Sequence, residues 1–122
     1  MQATPRQDTK PELALRRELH RLGLRYYVHR RPLPELRREA DIVFPRAKIA
    51  VFVDSCFWHG CPEHVTWPAA NADWWREKIE RTRRRDADTN DRLARVGWDA
   101  VRVWEHEDTA LAARRIHKQV IQ

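Results

Sequence analysis

Cysteine is scarce in this chain and long apolar runs are missing from it. The 122 residues contain two cysteines, which in a reducing compartment suit metal ligands better than a disulfide. No apolar stretch approaches the roughly 18 residues of a membrane-spanning helix, which excludes a membrane protein. The N-terminus lacks an apolar core, so nothing indicates secretion. Repeats, low-complexity segments and internal linkers are also lacking, and residues 1–122 therefore predict a single domain.

Acidic residues are outnumbered by basic ones. The chain has 24 Lys and Arg against 18 Asp and Glu, a formal net charge of +6 and a pI near 10.0. This balance favours a polyanionic partner. A basic run at Arg83, Arg84 and Arg85 would present charge to phosphates from one helix, although a merely solvated helix face is the alternative. We expect a DNA-binding protein in the cytoplasm of a bacterial type of cell, where DNA and cytosol share one compartment.

The hydrophobic periodicity predicts the element order α-β-β-β-α-β-α, a mixed α/β fold. A capping box at Thr9 and Glu12 opens the first helix, which stops at Gly23. The other predicted elements are strands at 26–28, 40–44, 49–53 and 101–104, a helix from Asn71 to about Val96, and a helix opened by Thr109.

Three acidic residues fall among apolar neighbours. Asp41 lies inside an apolar strand, where burial is costly unless a metal or a donor compensates the charge. Glu12 shares the buried stripe of the first helix, unless it only closes the capping box. Asp86 lies on the apolar face of the long helix, unless it only pairs with a neighbouring arginine. Together these carboxylates could converge on one hard cation such as Mg²⁺.

The segment that follows the third strand contains both cysteines. Cys56, Cys61 and His64 have a spacing that can bind Zn²⁺, and His106 is the candidate for the fourth ligand. His59 then remains beside the metal as a candidate for chemistry, although spacing alone does not choose between His59 and His64 as the third ligand. A disulfide and a pair of inert buried thiols are the alternatives.

Aromatic residues accompany this segment. Phe57 and Trp58 flank His59, where aromatic rings can stack on bases or wedge between them. Packing over the zinc site is the alternative. Trp74 and Trp75 open the long helix, so at least one of them must face outward.

These motifs together resemble the very short patch repair (Vsr) mismatch endonucleases, a zinc-containing branch of the restriction-endonuclease-like fold. The resemblance covers nearly the whole chain, and the Cys-Phe-Trp-His core is its most specific part. The matching segments are Asp8–Glu12, Ala40–Phe44, Val51–Cys61, Trp75–Ile79, Arg85–Asp86, Gly97–Trp98 and Val103–Glu105.

The resemblance implies a Mg²⁺-dependent enzyme that nicks one DNA strand at a T·G mismatch, which arises when 5-methylcytosine deaminates. By motif position, Asp41 matches the main Mg²⁺ ligand and Val53 supplies a backbone carbonyl. His59 matches the residue that activates water, and Glu12 and Asp86 match acids that hold metal-bound waters. The remaining matches are DNA wedges at Phe57, Trp58 and Trp75, and structural zinc ligands at Cys56, Cys61, His64 and His106.

The chain departs from the best-known members at three sites, one of which is Ser55 in place of a usual glycine. Val53 and Asp54 replace a Thr-His pair, so the second catalytic histidine is missing. Asp54 could bind or orient a metal-bound water instead, although strand alternation would turn it away from the face of Val53. The segment before Asp8 is short, so we expect a reduced DNA-gripping arm.

Two rival functions fit the same residues. One is a restriction or defence nuclease of this fold with another DNA target, and the other is a zinc-stabilised DNA-binding module without catalysis. For the mismatch endonuclease we expect a monomer that binds double-stranded DNA with a T·G mismatch and that interacts with mismatch-repair proteins.

Overall fold

The computed structural model describes residues 9–54 and 72–121. Within them the observed order is α-β-β-β-α-β-α, as the periodicity predicts. The elements are α1 (Lys10–Arg21), β1 (Tyr27–Arg30), β2 (Ala40–Phe44), β3 (Ile49–Asp54), α2 (Ala72–Arg95), β4 (Asp99–Trp104) and α3 (Thr109–Val120). In this part of the chain no helix is both long and apolar enough to cross a membrane.

The helix ends follow the capping signals of the sequence. The Thr9 side chain accepts the backbone N–H of Glu12 at 3.4 Å, which satisfies one of the orphan donors at the start of α1. Gly23 follows α1 with φ of 83°, a left-handed conformation that glycine adopts without a steric cost. Thr109 is the first residue of α3, and the preceding Asp108 is its cap, since that side chain accepts the Leu111 N–H at 3.0 Å.

The four strands form one sheet in the order β1-β2-β3-β4. β1 pairs antiparallel with β2, and β2 pairs antiparallel with β3 through the tight turn at residues 45–48. β4 pairs parallel with β3, which requires the long crossover that contains α2. Two of the three strand pairings are therefore antiparallel, and the third is a parallel pairing made through a crossover.

The sheet is covered on both faces. Leu15, Leu19 and Ile116 of α1 and α3 pack with Ile42 and Val51 on one face. On the other face the core contains Leu93 of α2 together with the buried strand residues Ala40, Val43, Ala50 and Phe52. Successive residues of β3 thus alternate between the α1–α3 face and the α2 face, and the side chains at the end of β3 divide in the same way.

Candidate active site

Three residues from consecutive elements bring their polar atoms together at the end of the sheet. Glu12 of α1, His29 of β1 and Asp41 of β2 each offer one ligand atom, and these atoms lie within 4.8 Å of one another. Glu12 is only 3% exposed. We refer to these residues as the Glu12–His29–Asp41 cluster.

Strand pairing explains why His29 reaches this cluster. The β1–β2 register pairs Val28 with Ile42 and Arg30 with Ala40, which puts His29 opposite Asp41. His29 has φ of 51°, in the left-handed region that few non-glycine residues adopt, although histidine is among the more tolerant. The strand therefore departs from regular geometry at the residue that faces Asp41.

Asp41 lies in a partly desolvated environment. Its Oδ2 accepts the backbone N–H of Val53 at 2.7 Å, which ties β2 to the end of β3. Burial raises the pKa of Asp41 to about 7, and the nearby carboxylates of Glu12 and Asp54 act in the same direction, whereas the Val53 hydrogen bond and His29 oppose the rise. A cation placed beside Asp41 would favour the ionised carboxylate.

Glu12 is the second acid of the cluster, and Arg16 lies beside it. The Arg16 Nη2 donates to Glu12 Oε2 at 3.4 Å, one helical turn away. The backbone carbonyl of Arg16 in turn accepts the Tyr26 hydroxyl at 3.0 Å. Only the backbone N–H of Glu12 takes part in the Thr9 cap, while its carboxylate lies in the cluster.

Asp54 and Asp86 belong to a different group, which is centred on Arg102 of β4. Arg102 Nη1 lies 3.1 Å from Asp54 Oδ1 and 3.4 Å from Asp86 Oδ1. Its Nε donates to Asn90 Oδ1 at 3.1 Å, and the guanidinium lies 4.0 Å from the centre of the Phe52 ring. This Arg102 network joins β3, β4 and α2 on the α2 face of the sheet.

The structure therefore gathers two of the three carboxylates that the sequence suggests for one cation. Glu12 and Asp41 come together, whereas Asp86 is paired with Arg102, a partner that the sequence analysis does not name. Asp54 is buried with the same arginine, yet it is near enough to Asp41 to influence its pKa. Val53 is held next to Asp41 by the backbone hydrogen bond.

The other predicted site residues divide between α2, the turn after β4, and the undescribed segment. Trp74 is 52% exposed and packs edge-on against Trp75 at 4.6 Å between ring centroids, so one of this pair does face outward. Arg83, Arg84 and Arg85 are exposed on α2, and His106 is exposed just after β4. The remaining predictions lie outside the described residues, at Cys56, Phe57, Trp58, His59, Cys61 and His64.

His29 is the site residue that the sequence analysis misses. The first strand is expected to end at Val28, whereas β1 runs to Arg30. The available signal was the pairing itself, because antiparallel alignment of this segment with the Asp41 strand puts a histidine opposite the acid. A polar side chain opposite a buried acid is a stronger indication of a site than either residue alone.

The donor chemistry of the cluster suits a divalent cation. Carboxylate oxygens are the ligands that Mg²⁺ and Mn²⁺ prefer, and an imidazole nitrogen adds affinity for transition ions. Metal–oxygen bonds of about 2.1 Å put neighbouring donors roughly 3 Å apart and opposite donors roughly 4.2 Å apart. The observed spacing within 4.8 Å is slightly wider, so small side-chain movements bring the donors to one ion.

Comparison with known proteins identifies the family. The family model described as DNA mismatch endonuclease Vsr matches residues 1–64, a range that contains the whole Glu12–His29–Asp41 cluster. The type II nicking enzyme V.NaeI of Lentzea aerocolonigenes is 46% identical over 110 residues, which cover 88% of this chain and 66% of that enzyme. The type II nicking enzyme V.XorIIP of Xanthomonas oryzae pv. oryzae is 40% identical over 114 residues, with coverage of 93% and 82%.

A third relative has the mismatch name itself. The DNA mismatch endonuclease Vsr of Escherichia coli is 32% identical over 109 residues, which cover 86% of this chain and 66% of that protein. The chain thus spans just under two thirds of the length of the Lentzea and Escherichia relatives. The family model matches half of the sequence, and the chain covers 82% of the Xanthomonas enzyme at 40% identity. The chain therefore belongs to the Vsr family of DNA mismatch endonucleases.

Proposed function

We propose that this protein is a Mg²⁺-dependent endonuclease that nicks one strand of duplex DNA at a T·G mismatch and so starts very short patch repair in the bacterial cytoplasm. The observation that carries the proposal is the convergence of the Glu12 and Asp41 carboxylates at one end of the sheet, in a chain of the Vsr family. The names of the relatives support both the nicking activity and the mismatch target of the proposal, since they include nicking enzymes and a mismatch endonuclease.

Asp41 is the residue that we assign as the main metal donor. Burial raises its pKa, and a cation beside it would favour its ionised form. Glu12 would provide the second carboxylate of the site. The backbone carbonyl of Val53 is the further donor that the family resemblance suggests. When bound, Mg²⁺ supplies electrostatic stabilisation of the charge that grows on the scissile phosphate and on the leaving oxygen.

His59 is the proposed general base. Its neutral imidazole would take a proton from the attacking water, so activity should fall as the pH drops through the histidine pKa. Asp54 would take an electrostatic role beside Asp41, because Arg102 already engages its carboxylate. Asp86 is paired with the same arginine. We propose that Asp54 and Asp86 both act on the site through their charge.

The proposed structural zinc site consists of Cys56, Cys61, His64 and His106. The exposed turn after β4 presents His106, and the backbone N–H of Glu105 donates to the carbonyl of Asp54 at 3.0 Å. The turn that bears His106 is therefore fixed to the strand end from which the cysteine segment departs. This arrangement supports a zinc ion that links the two.

The proposed DNA-binding residues lie on α2 and in the cysteine segment. The exposed cations Arg83, Arg84 and Arg85 would contact phosphates. The ring of Trp75 packs edge-on against the ring of Trp74. Trp75 would act with Phe57 and Trp58 as a wedge at the mismatch. A mismatch is easier to unstack than a Watson–Crick pair, so such a wedge favours mismatched DNA.

The decisive experiment compares nicking of T·G, matched and other mismatched duplexes in the presence of Mg²⁺. We expect the wild-type protein to nick only the T·G duplex, and Asp41→Asn to reduce the rate by at least about a hundredfold because its metal donor is weakened. Asp91→Asn is the matched control, since Asp91 only pairs with Arg95 on the exposed side of α2. Normal Mg²⁺-dependent nicking by Asp41→Asn would refute the assignment.

The same assay separates the rival functions. Several relatives are named type II nicking enzymes, which favours a second candidate, a nickase of the same fold with another DNA target. Nicking of matched or differently modified duplexes would support that candidate. DNA binding without any Mg²⁺-dependent product, and unaffected by Asp41→Asn, would instead indicate a binding module.

A further inference from the structure

The imidazole of His29 lies between two carboxylates at the metal site proposed above. Its Nε2 is 3.8 Å from Glu12 Oε2, and its Nδ1 is 3.8 Å from Glu39 Oε1. We propose that His29 is a third side-chain donor to the catalytic cation and that it gives the site a preference for first-row transition ions such as Mn²⁺ over Mg²⁺. The inference rests on the proposed function, because it assumes the cation site at Glu12 and Asp41.

The two ring nitrogens are placed for different tasks. The 3.8 Å separation between Nε2 and Glu12 Oε2 exceeds a hydrogen bond, but it suits two atoms that share one ion. On the opposite side of the ring, Glu39 lies next to Nδ1. A histidine that binds a metal through one nitrogen commonly directs its other N–H to a carboxylate, which fixes the tautomer and the ring orientation. The 3.8 Å separation from Nδ1 is longer than a hydrogen bond, so Glu39 would become that carboxylate, as a positioning residue, after a small side-chain movement like the one that brings the donors to one ion.

The backbone of β1 aims the imidazole at the cluster. His29 adopts a φ of 51° opposite Asp41, and its side chain is only 15% exposed. The left-handed region disfavours β-branched and bulky residues, and it is open to glycine, asparagine, aspartate and histidine. Asparagine and glycine are therefore the substitutions that remove the imidazole while they respect this conformation.

The mixed donor set determines the ion. Mg²⁺ binds oxygen donors and water and has little affinity for imidazole, whereas transition ions gain from a nitrogen ligand. Two carboxylates alone would discriminate weakly between Mg²⁺ and Mn²⁺. With an imidazole in the set, the site should bind Mn²⁺ more tightly at equilibrium, whichever ion the cell supplies for nicking.

The test is direct metal binding by the full-length protein with its zinc content unaltered. Free Mn²⁺ is measured by electron paramagnetic resonance during titration, and Mg²⁺ affinity follows from competition with Mn²⁺. We expect wild-type protein to bind Mn²⁺ at least about tenfold more tightly than Mg²⁺. His29→Asn and His29→Gly should each lose at least about tenfold in Mn²⁺ affinity, with Mg²⁺ affinity changed by no more than about threefold.

Control variants make failure interpretable. His20→Asn changes an exposed histidine in the last turn of α1 and should bind both ions as the wild type does. Unchanged Mn²⁺ affinity in both His29 variants, or an equal loss of both ions, would overturn the role of His29 as a donor. Unchanged binding of both ions by Asp41→Asn would overturn the proposed cation site itself, which is a separate result.

Discussion

Asp41 is placed to bind a cation, but without one its surroundings disfavour the ionised carboxylate. Its carboxyl group is largely removed from water and lies near the carboxylates of Glu12 and Asp54, which is why its pKa rises to about 7. In the unfolded chain the same group titrates near 3.8. A residue that is suited to hold a cation is therefore a source of instability without one, as at many catalytic sites.

The conflict predicts how stability depends on pH. Between about pH 4 and pH 7 the folded state retains the Asp41 proton that the unfolded state has released, so the metal-free protein loses stability as the pH rises through this window. The full loss remains above pH 7. Asp41→Asn should remove this pH dependence and stabilise the metal-free protein at pH 8 by on the order of 1–3 kcal/mol.

Urea unfolding at pH 5 and pH 8 in the presence of a Mg²⁺ chelator measures the effect. The asparagine side chain retains an oxygen that can accept the Val53 N–H, so the comparison isolates the charge. Asp91→Asn should show the same pH dependence as the wild type, because Asp91 is exposed on α2. A less stable Asp41→Asn protein at pH 8 would contradict the expected sign.

At the scale of elements, Arg102 joins three of them. It contacts Asp54 of β3, Asp86 and Asn90 of α2, and the ring of Phe52. Its removal takes a cation away from the buried Asp54 carboxylate, and such a break in a buried ion pair is strongly destabilising. The network therefore connects α2 to the sheet, and it includes Asp54, whose charge helps to raise the pKa of Asp41.

Arg102→Met should lower the free energy of unfolding by about 3 kcal/mol, since methionine preserves part of the apolar stem but no charge. Arg95→Met is the matched control, because Arg95 pairs with Asp91 on the exposed face of α2, and its loss should amount to less than about 1 kcal/mol. Denaturant unfolding of both variants measures the difference. Equal losses in the two variants would show that Asp54 is satisfied without Arg102.

The elements also show how far sequence alone could lead. Helices α1, α2 and α3 and strands β2 and β3 are predicted within a few residues, because capping boxes, terminal glycines and apolar runs are local signals. β1 extends to Arg30 only because it pairs with β2, and a single-segment pattern does not contain that information. His29 is missed for this reason, whereas Asp41 is found because an acid in an apolar strand is conspicuous by itself.

Arg102 is missed for a related reason. It lies in a strand and its partners come from β3 and α2, so the sequence offers Asp86 only the arginines of its own helix as partners. The sequence groups Glu12, Asp41 and Asp86 as acids among apolar neighbours, and the structure brings the first two of them together. Long-range contacts decide which acids meet in the Glu12–His29–Asp41 cluster and which pair with Arg102.

At the scale of the whole molecule, the proposed zinc site should decide whether the domain is folded. We expect one zinc ion per purified chain, and Cys56→Ala or Cys61→Ala should unfold or aggregate the protein because structural zinc binding contributes directly to folding free energy. Metal analysis together with thermal unfolding in the presence of a chelator measures this. A folded, active sample without zinc would refute the site.

Two histidine variants distinguish the metal ligand from the general base. His64→Ala should lose zinc affinity and stability, whereas His59→Ala should retain zinc and lose at least about a hundredfold in nicking rate. His117→Ala, on α3, is the control for both measurements. The reverse pattern would exchange the roles of His59 and His64.

The difference between the antiparallel pairings of β1, β2 and β3 and the parallel pairing of β3 with β4 also bears on the order of folding. The cluster draws on consecutive elements between residues 12 and 41, so short loop closures suffice to assemble it. β4 is separated from β3 along the chain by the whole of α2, and such non-local parallel pairing is slow. During synthesis the ribosome therefore releases the acid-bearing hairpins first, with the edge of β3 still open to other strands. We infer that the pairing of β4 with the open edge of β3 limits the rate of folding and ends the period of greatest aggregation risk.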